Sequence, residues 1–224
     1  MWNDYFYGIQ KKYSMRLSTK TPLVIRLDGK DVTKSKDLNL LYNYSGSFFD
    51  AFNESAKYFS KKYNCIALFG TDEISFVIQN PELLYEEYDS AKSTSSNEVI
   101  SLFSQHFFDF FNKTYNKESI FFHAKCFSIP EGKITSYIKY RSKAIKNVVT
   151  TYFLKRNNIK AGKMKLDERE EECIKYKDYE NIKDIENGVL YLNGDKIDIE
   201  SYYNGNIKKI EDEKTSEIEF DGIF

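Results

Sequence analysis

Ile66-Ala-Leu-Phe-Gly-Thr-Asp-Glu-Ile-Ser-Phe-Val-Ile78 is two apolar runs joined by a polar turn. Ile66–Phe69 is short, continuous and apolar, as a buried strand is. Ile74–Ile78 alternates and is rich in β-branched and aromatic residues, so it reads as a second strand. Gly70-Thr-Asp-Glu73 interrupts them, and the pair is expected to form a hairpin. Upstream, Phe48, Phe49, Phe52, Ala56 and Phe59 recur at three- and four-residue steps. That spacing predicts a helix beginning after Ser45 or Ser47 and running to about Tyr63. Before it, Pro22-Leu-Val-Ile-Arg-Leu27 is an apolar run that stops at Asp28-Gly29, another strand signal. Downstream, residues 81–96 read as loop. Val99, Leu102, Phe103, His106, Phe107, Phe110 and Phe111 mark a helix over about Asn97–Tyr115. Ser119–Ile129 reads as a strand stopped by Pro130, and a long helix follows over about Ile134–Asn157. Met1–Lys20 suggests a helix or packed arm. The last third is charged, broken by Gly188, Gly194 and Gly205, with a small hairpin near Val189–Ile199 and a solvated tail over Glu211–Phe224.

The order β-α-β-β-α-β defines an α+β, ferredoxin-like fold: an antiparallel sheet with helices on one face. A C-terminal helix and a small extension are added to it. Right-handed crossovers make the first two strands parallel, and the third, joined to the second by the hairpin, is expected between them. The end of the first strand then lies beside the start of the third. Asp28 occupies one position, Asp72 and Glu73 the other. Residues 1–130 form the expected catalytic unit with its arm. Residues 131–224 form the long basic helix and an extension packed on it.

Carboxylates that converge at a sheet end repel unless a cation lies between them. Mg²⁺ takes one or two carboxylates and completes its octahedral shell with water and substrate phosphates. Two such ions can clamp the attacking and leaving oxygens of a phosphoryl transfer. Gly29 permits close approach of the backbone, so the N–H groups from Gly29 to Thr33 are candidates for an anion nest.

The net charge of −1 does not announce a nucleic-acid binder, but lysines and Arg141 crowd residues 133–165 and leave room for a local basic surface. Cys65, Cys126 and Cys173 are dispersed and odd in number, which disfavours structural zinc and a disulfide framework. No signal-like or membrane-length apolar run occurs, so a soluble cytoplasmic protein is expected. His106, the cysteines and Tyr137, Tyr140 and Tyr152 read as packing residues. His123 sits in an alternating strand and faces either the site or the core. The 18 Tyr and 18 Phe are read either as compositional bias or as base-stacking residues.

Arg26-Leu-Asp-Gly-Lys30 followed by Phe69-Gly-Thr-Asp-Glu-Ile-Ser-Phe-Val77 resembles the two metal motifs of the tRNA(His) guanylyltransferase and Thg1-like 3′–5′ polymerase family. Phe122-His-Ala-Lys-Cys-Phe-Ser-Ile-Pro130 and Ser136-Tyr-Ile-Lys-Tyr-Arg141 are similar to two further blocks, in the same order. The likeness spans roughly residues 10–155. It implies a palm domain and a nucleotidyltransferase that adds nucleotides to the 5′ end of RNA, tRNA above all, in the 3′–5′ direction. By position, Asp28, the Gly29 carbonyl and Asp72 would hold two Mg²⁺, with Glu73 in support. Asp28, Gly29, Lys30, Asp31, Val32, Thr33, Thr71 and Asp72 would hold GTP or ATP. Arg141, Lys143, Lys146 and Asn147 fall near a block that handles triphosphate and the RNA end. Homo-oligomers, tetramers or dimers, are implied by the same analogy.

The chain departs from the family pattern in three places. Lys30-Asp31-Val32-Thr33 replaces an Arg-aromatic segment, His123 stands for an acid, and Tyr140-Arg141-Ser142 replaces Trp-Arg-Gln. Lys lacks the bidentate fork of Arg, and Val32 cannot stack as an aromatic does. Two rival readings follow: a palm-fold nucleotide cyclase or signalling nucleotidyltransferase, and a catalytically inactive relative that binds nucleotide or RNA.

Overall fold

The computed structural model describes residues 20–30, 32, 47–88, 96–116, 119–183, 185–207 and 209. The expected N-terminal arm, a cap at Ser45, and the acidic tail lie outside these residues.

Six strands form one antiparallel sheet. They are β1 (Leu23–Gly29), β2 (Ile66–Gly70), β3 (Glu73–Ile78), β4 (Phe122–Ser128), β5 (Val189–Leu192) and β6 (Asp195–Ile197), in the order β4-β1-β3-β2-β5-β6. The first four strands stand as the βαββαβ order requires, with β3 between β1 and β2. Helices α1 (Ser47–Lys62) and α3 (Ser96–Tyr115) are its two crossovers. Between β3 and α3 the chain is not all loop, as expected, but holds a short helix α2 (Glu82–Tyr88). Its signals are local and polar: the Pro81 carbonyl accepts from the N–H groups of Leu84 and Tyr85, and Asn80 Oδ1 accepts from Glu82 N. An acidic seven-residue helix has too short an apolar stripe to show as periodicity. Strand β4 is shorter than the expected Ser119–Ile129, because Ile120 N is taken by Asn112 Oδ1 of α3 at 2.7 Å rather than by the sheet.

One sheet face carries Leu23, Ile25, Leu27, Phe69 and Phe76 against α1 and α3. Helices α1 and α3 meet through rings. Phe52 lies 4.9 Å from Phe111, Phe59 5.3 Å from Phe103, and Phe107 5.0 Å from Phe122. Many of the surplus aromatics are therefore core. His106 sits at the edge of this cluster against Tyr58 and Phe59, and burial lowers its pKa.

The opposite face carries Val24, Ile66, Leu68 and Val77 against the long helix α4 (Ile134–Arg156). Ile134, Ile138, Arg141, Ile145, Val149 and Phe153 are its buried stripe, at steps of three and four. Ile145 packs so closely on the β2–β3 hairpin that a Cβ at Gly70 would stand 2.5 Å from Ile145 Cγ2. Gly70→Ala should therefore destabilise the fold by about 1–3 kcal/mol, as overpacking does. Adding Ile145→Val should recover part of that loss in thermal unfolding. No recovery would mean that the crowding lies elsewhere.

The second half of α4 anchors the extension. Helix α5 (Leu166–Cys173), a 3₁₀ turn at Lys177–Tyr179 and α6 (Glu180–Lys183) pack on it around Phe153, Leu154, Cys173 and Tyr179. Strands β5 and β6 and helix α7 (Ile199–Tyr203) follow. The hairpin foreseen near residue 190 exists. It turns at Asn193-Gly194, both at positive φ, a pairing suited to a two-residue connection. It is not a separate appendage, since β5 joins the free edge of β2, with Ile66 opposite Leu192 and Phe69 opposite Val189.

Candidate active site

Register brings the acidic residues together. Asp28 is the cross-strand partner of Glu73 on one side and of His123 on the other. Asp72 follows in the hairpin turn, and its carbonyl accepts from Gly29 N at 2.7 Å. The site needs glycine at position 29. An added Cβ would lie 2.6 Å from Val32 Cγ2 and 3.3 Å from the Asp72 carbonyl.

The turn itself is strained. Thr71 holds φ +61°, which a β-branched residue rarely adopts. Such a conformation costs about 1–3 kcal/mol and survives only where its surroundings enforce it. Thr71 Oγ1 donates to Asp72 Oδ1 at 3.2 Å and orients that carboxylate. The sequence carries a hint of this, a Thr where a hairpin turn favours Gly or Asn.

Burial, then repulsion from Asp28, pushes the Asp72 carboxyl up from 3.8 to about 6. Glu73 adds to that repulsion, while hydrogen bonds from Thr71 and the backbone oppose it. A carboxyl raised in the fold adds stability when protonated, and that stability is lost as pH rises from about 4 through about 6. Asp72→Asn should therefore melt higher than the parent above pH 6 without divalent metal, by on the order of 1–2 kcal/mol after solvent screening. The difference should vanish below pH 4. A pH-independent difference in melting scans would sink this account.

Glu73 is held differently. Arg141, 7% exposed, donates from Nε to Glu73 Oε1 at 3.0 Å, and its Nη2 donates to the same oxygen. One turn earlier on α4, Tyr137 Oη pairs with Ser75 Oγ at 3.0 Å. Among the described residues, no three His, Cys, Asp or Glu side chains form a metal-holding cluster. Asp28 and Asp72 thus stand as a two-carboxylate set, the number Mg²⁺ commonly takes when phosphates and water complete its shell.

The other sequence candidates are dispersed. Lys30 is exposed at the mouth, its N–H bound to the Phe121 carbonyl at 2.7 Å. Of the N–H groups expected to form an anion nest, those of Gly29 and Lys30 donate to the Asp72 and Phe121 carbonyls. The Val32 side chain is buried in the core, while Asp31 and Thr33 lie outside the described residues. Lys143 is exposed. Lys146 bridges Glu170 and Glu186, each at 2.9 Å, and Asn147 Oδ1 accepts from Arg169, so both face the extension. His123 is exposed on the face that carries Asp28. Tyr140 does not pack as expected. It is 62% exposed, with its ring 5.3 Å from the Arg141 guanidinium carbon.

The fold is a palm-like α/β sheet with a carboxylate edge. The sequence model of the family Thg1, tRNAHis guanylyltransferase, matches residues 5–130, and the chain belongs to that family. Solved structures agree on the fold. A bacterial tRNA(His) guanylyltransferase (Thg1)-like protein in complex with GTP aligns at TM-score 0.61 and 18% identity, covering 85% of this chain and 83% of that one. A bacterial Thg1-like protein in complex with ATP aligns at 0.57 and 17% identity, covering 86% and 88%. The tRNA(His) guanylyltransferase of Saccharomyces cerevisiae aligns at 0.56 and 18% identity, covering 85% and 93%. No curated protein sequence matches the chain.

Proposed function

We propose that the chain is a Mg²⁺-dependent nucleotidyltransferase that adds nucleotides to RNA 5′ ends in the 3′–5′ direction, with tRNA as the RNA and GTP and ATP as substrates. The observation that carries the reading is the meeting of Asp28 and Asp72, with the Asp72 carboxyl raised by burial and by its neighbour. A charge conflict of this kind is relieved by a cation. Asp28, the Gly29 carbonyl and Asp72 would hold the metal, which supplies charge neutralisation at the reacting phosphate.

The remaining roles belong to the chain. Thr71 orients Asp72, Gly29 admits the backbone close to the hairpin, and Lys30 at the mouth offers a point charge to a triphosphate. Lys143 is one of the exposed cations of the basic helix available to an RNA phosphate. Residues 1–130 would act as the catalytic unit and 131–224 as its buttress, in a cytoplasmic homo-oligomer.

The test is incubation with Mg²⁺, each nucleoside triphosphate and 5′-triphosphorylated or 5′-adenylylated tRNA. Lengthening at the 5′ end is expected, and no extension with any triphosphate would overturn the proposal. One observation favours a second reading, a non-catalytic nucleotide or RNA binder. The structure commits Arg141, Lys146 and Asn147 to internal partners. Triphosphate binding that persists in Asp28→Ala/Asp72→Ala, without turnover by the parent, would support it.

A further inference from the structure

Helix α4 crosses the β2–β3 hairpin with a matched repeat. Four helical residues advance about 6 Å and two strand residues about 7 Å. Tyr137 therefore meets Ser75 and Arg141 meets Glu73, while Ile145 seats on Gly70 one turn further. The repeat delivers a guanidinium to Glu73, the first residue of β3. Both side chains are close to fully buried, at 9% and 13% exposure, so the pair is shielded from salt and solvent.

We infer that Arg141 is a positioning residue: it acts through Glu73, holding that carboxylate on the helix and out of the metal's shell. This rests on the metal site proposed above. Glu73 stands beside Asp28 in register and next to Asp72 in sequence, so it is the carboxylate that would join the pair if Arg141 released it. Left free, it would compete with substrate phosphate oxygens for coordination positions. Both donors from Arg141 go to Oε1, which fixes the group by a two-pronged contact on one oxygen. The Tyr140 ring lies 5.3 Å from the guanidinium carbon.

The role differs from direct contact with triphosphate, and the two are separable. Mn²⁺ alone serves as the probe, titrated by electron paramagnetic resonance into the full chain, with Asp28→Ala as the zero. In Arg141→Met the freed Glu73 joins the metal, so Mn²⁺ should bind about tenfold tighter while 5′ addition slows. In Arg141→Met/Glu73→Gln that gain should disappear, with Mn²⁺ affinity within about twofold of Glu73→Gln alone. The double variant also leaves no unpaired buried charge and serves as the fold control. Should Arg141→Met fail to fold, Arg141→Lys, which keeps a charge but lacks the fork, should show a smaller gain of the same sign.

Unchanged Mn²⁺ affinity in Arg141→Met, together with an equal loss of GTP affinity in both Glu73 backgrounds, would overturn the inference and assign Arg141 to the triphosphate. A parent that binds Mn²⁺ but no GTP would end the nucleotide proposal and leave Arg141 judged by metal affinity. A parent that binds neither would end both.

Discussion

Asp28→Asn will lose nucleotide addition by on the order of 10³-fold or more, because a metal that stabilises charge at the reacting phosphate contributes several kcal/mol. The substitution keeps the shape of the side chain and removes its charge. The fold should survive, since the residue is held in the sheet by backbone pairing to β3 and β4. The same variant should shift the Mg²⁺ dependence of any residual activity to higher concentration. Extension of tRNA at parental rate, in the same assay and at limiting Mg²⁺, would remove Asp28 from the site. Rate and metal dependence together separate a lost ligand from general misfolding, which lowers the rate and leaves the metal requirement unchanged.

The second large effect lies in the core. Phe107→Ala should destabilise the protein by about 3–5 kcal/mol, the usual range for a large aromatic truncated in a packed interior. Phe107 has no exposed surface and touches Phe52, Phe59, Phe76, Phe111 and Phe122, so it joins both crossover helices to β3 and β4. Total stabilities of about 5–15 kcal/mol leave little reserve against such a loss. Urea unfolding of the parent and variant measures it. Phe107→Leu should recover more than half, because it refills most of the volume. A loss below 1 kcal/mol in Phe107→Ala would mean that the cluster closes over the gap.

The central architecture was legible because its signals are strong and local. The apolar runs of β1 and β2 end at glycine or acidic turns and that of β3 begins at one, and the Phe spacing of α1 and α3 has helical period. From these, strand order alone placed Asp28 beside the hairpin. The rest depended on contacts that no local window contains. Asn112 of α3 captures Ile120 and shortens β4. Ser60 Oγ and the Cys65 carbonyl receive the N–H groups of Gly194 and Asn193, which docks the late hairpin on the early unit. The family resemblance likewise grouped Arg141, Lys143, Lys146 and Asn147 at one block, yet α4 turns Arg141 to the sheet and Lys146 and Asn147 to α5. Residues five or six apart on a helix lie on different faces, so closeness in sequence overstated their common purpose.

The attachment of β5 to β2 also bears on how the chain is made. Ile66 must wait for Leu192, roughly 120 residues later, before its outer edge is paired. At a synthesis rate of about 5–20 residues per second, that edge stays open for on the order of ten seconds as the polypeptide emerges from the ribosome. Ile66-Ala-Leu-Phe-Gly70 is uncharged and buried throughout, so the nascent palm carries an adhesive border over that interval. A chain released before Val189 would keep it, and premature termination upstream of that residue should yield aggregates rather than a shortened working protein.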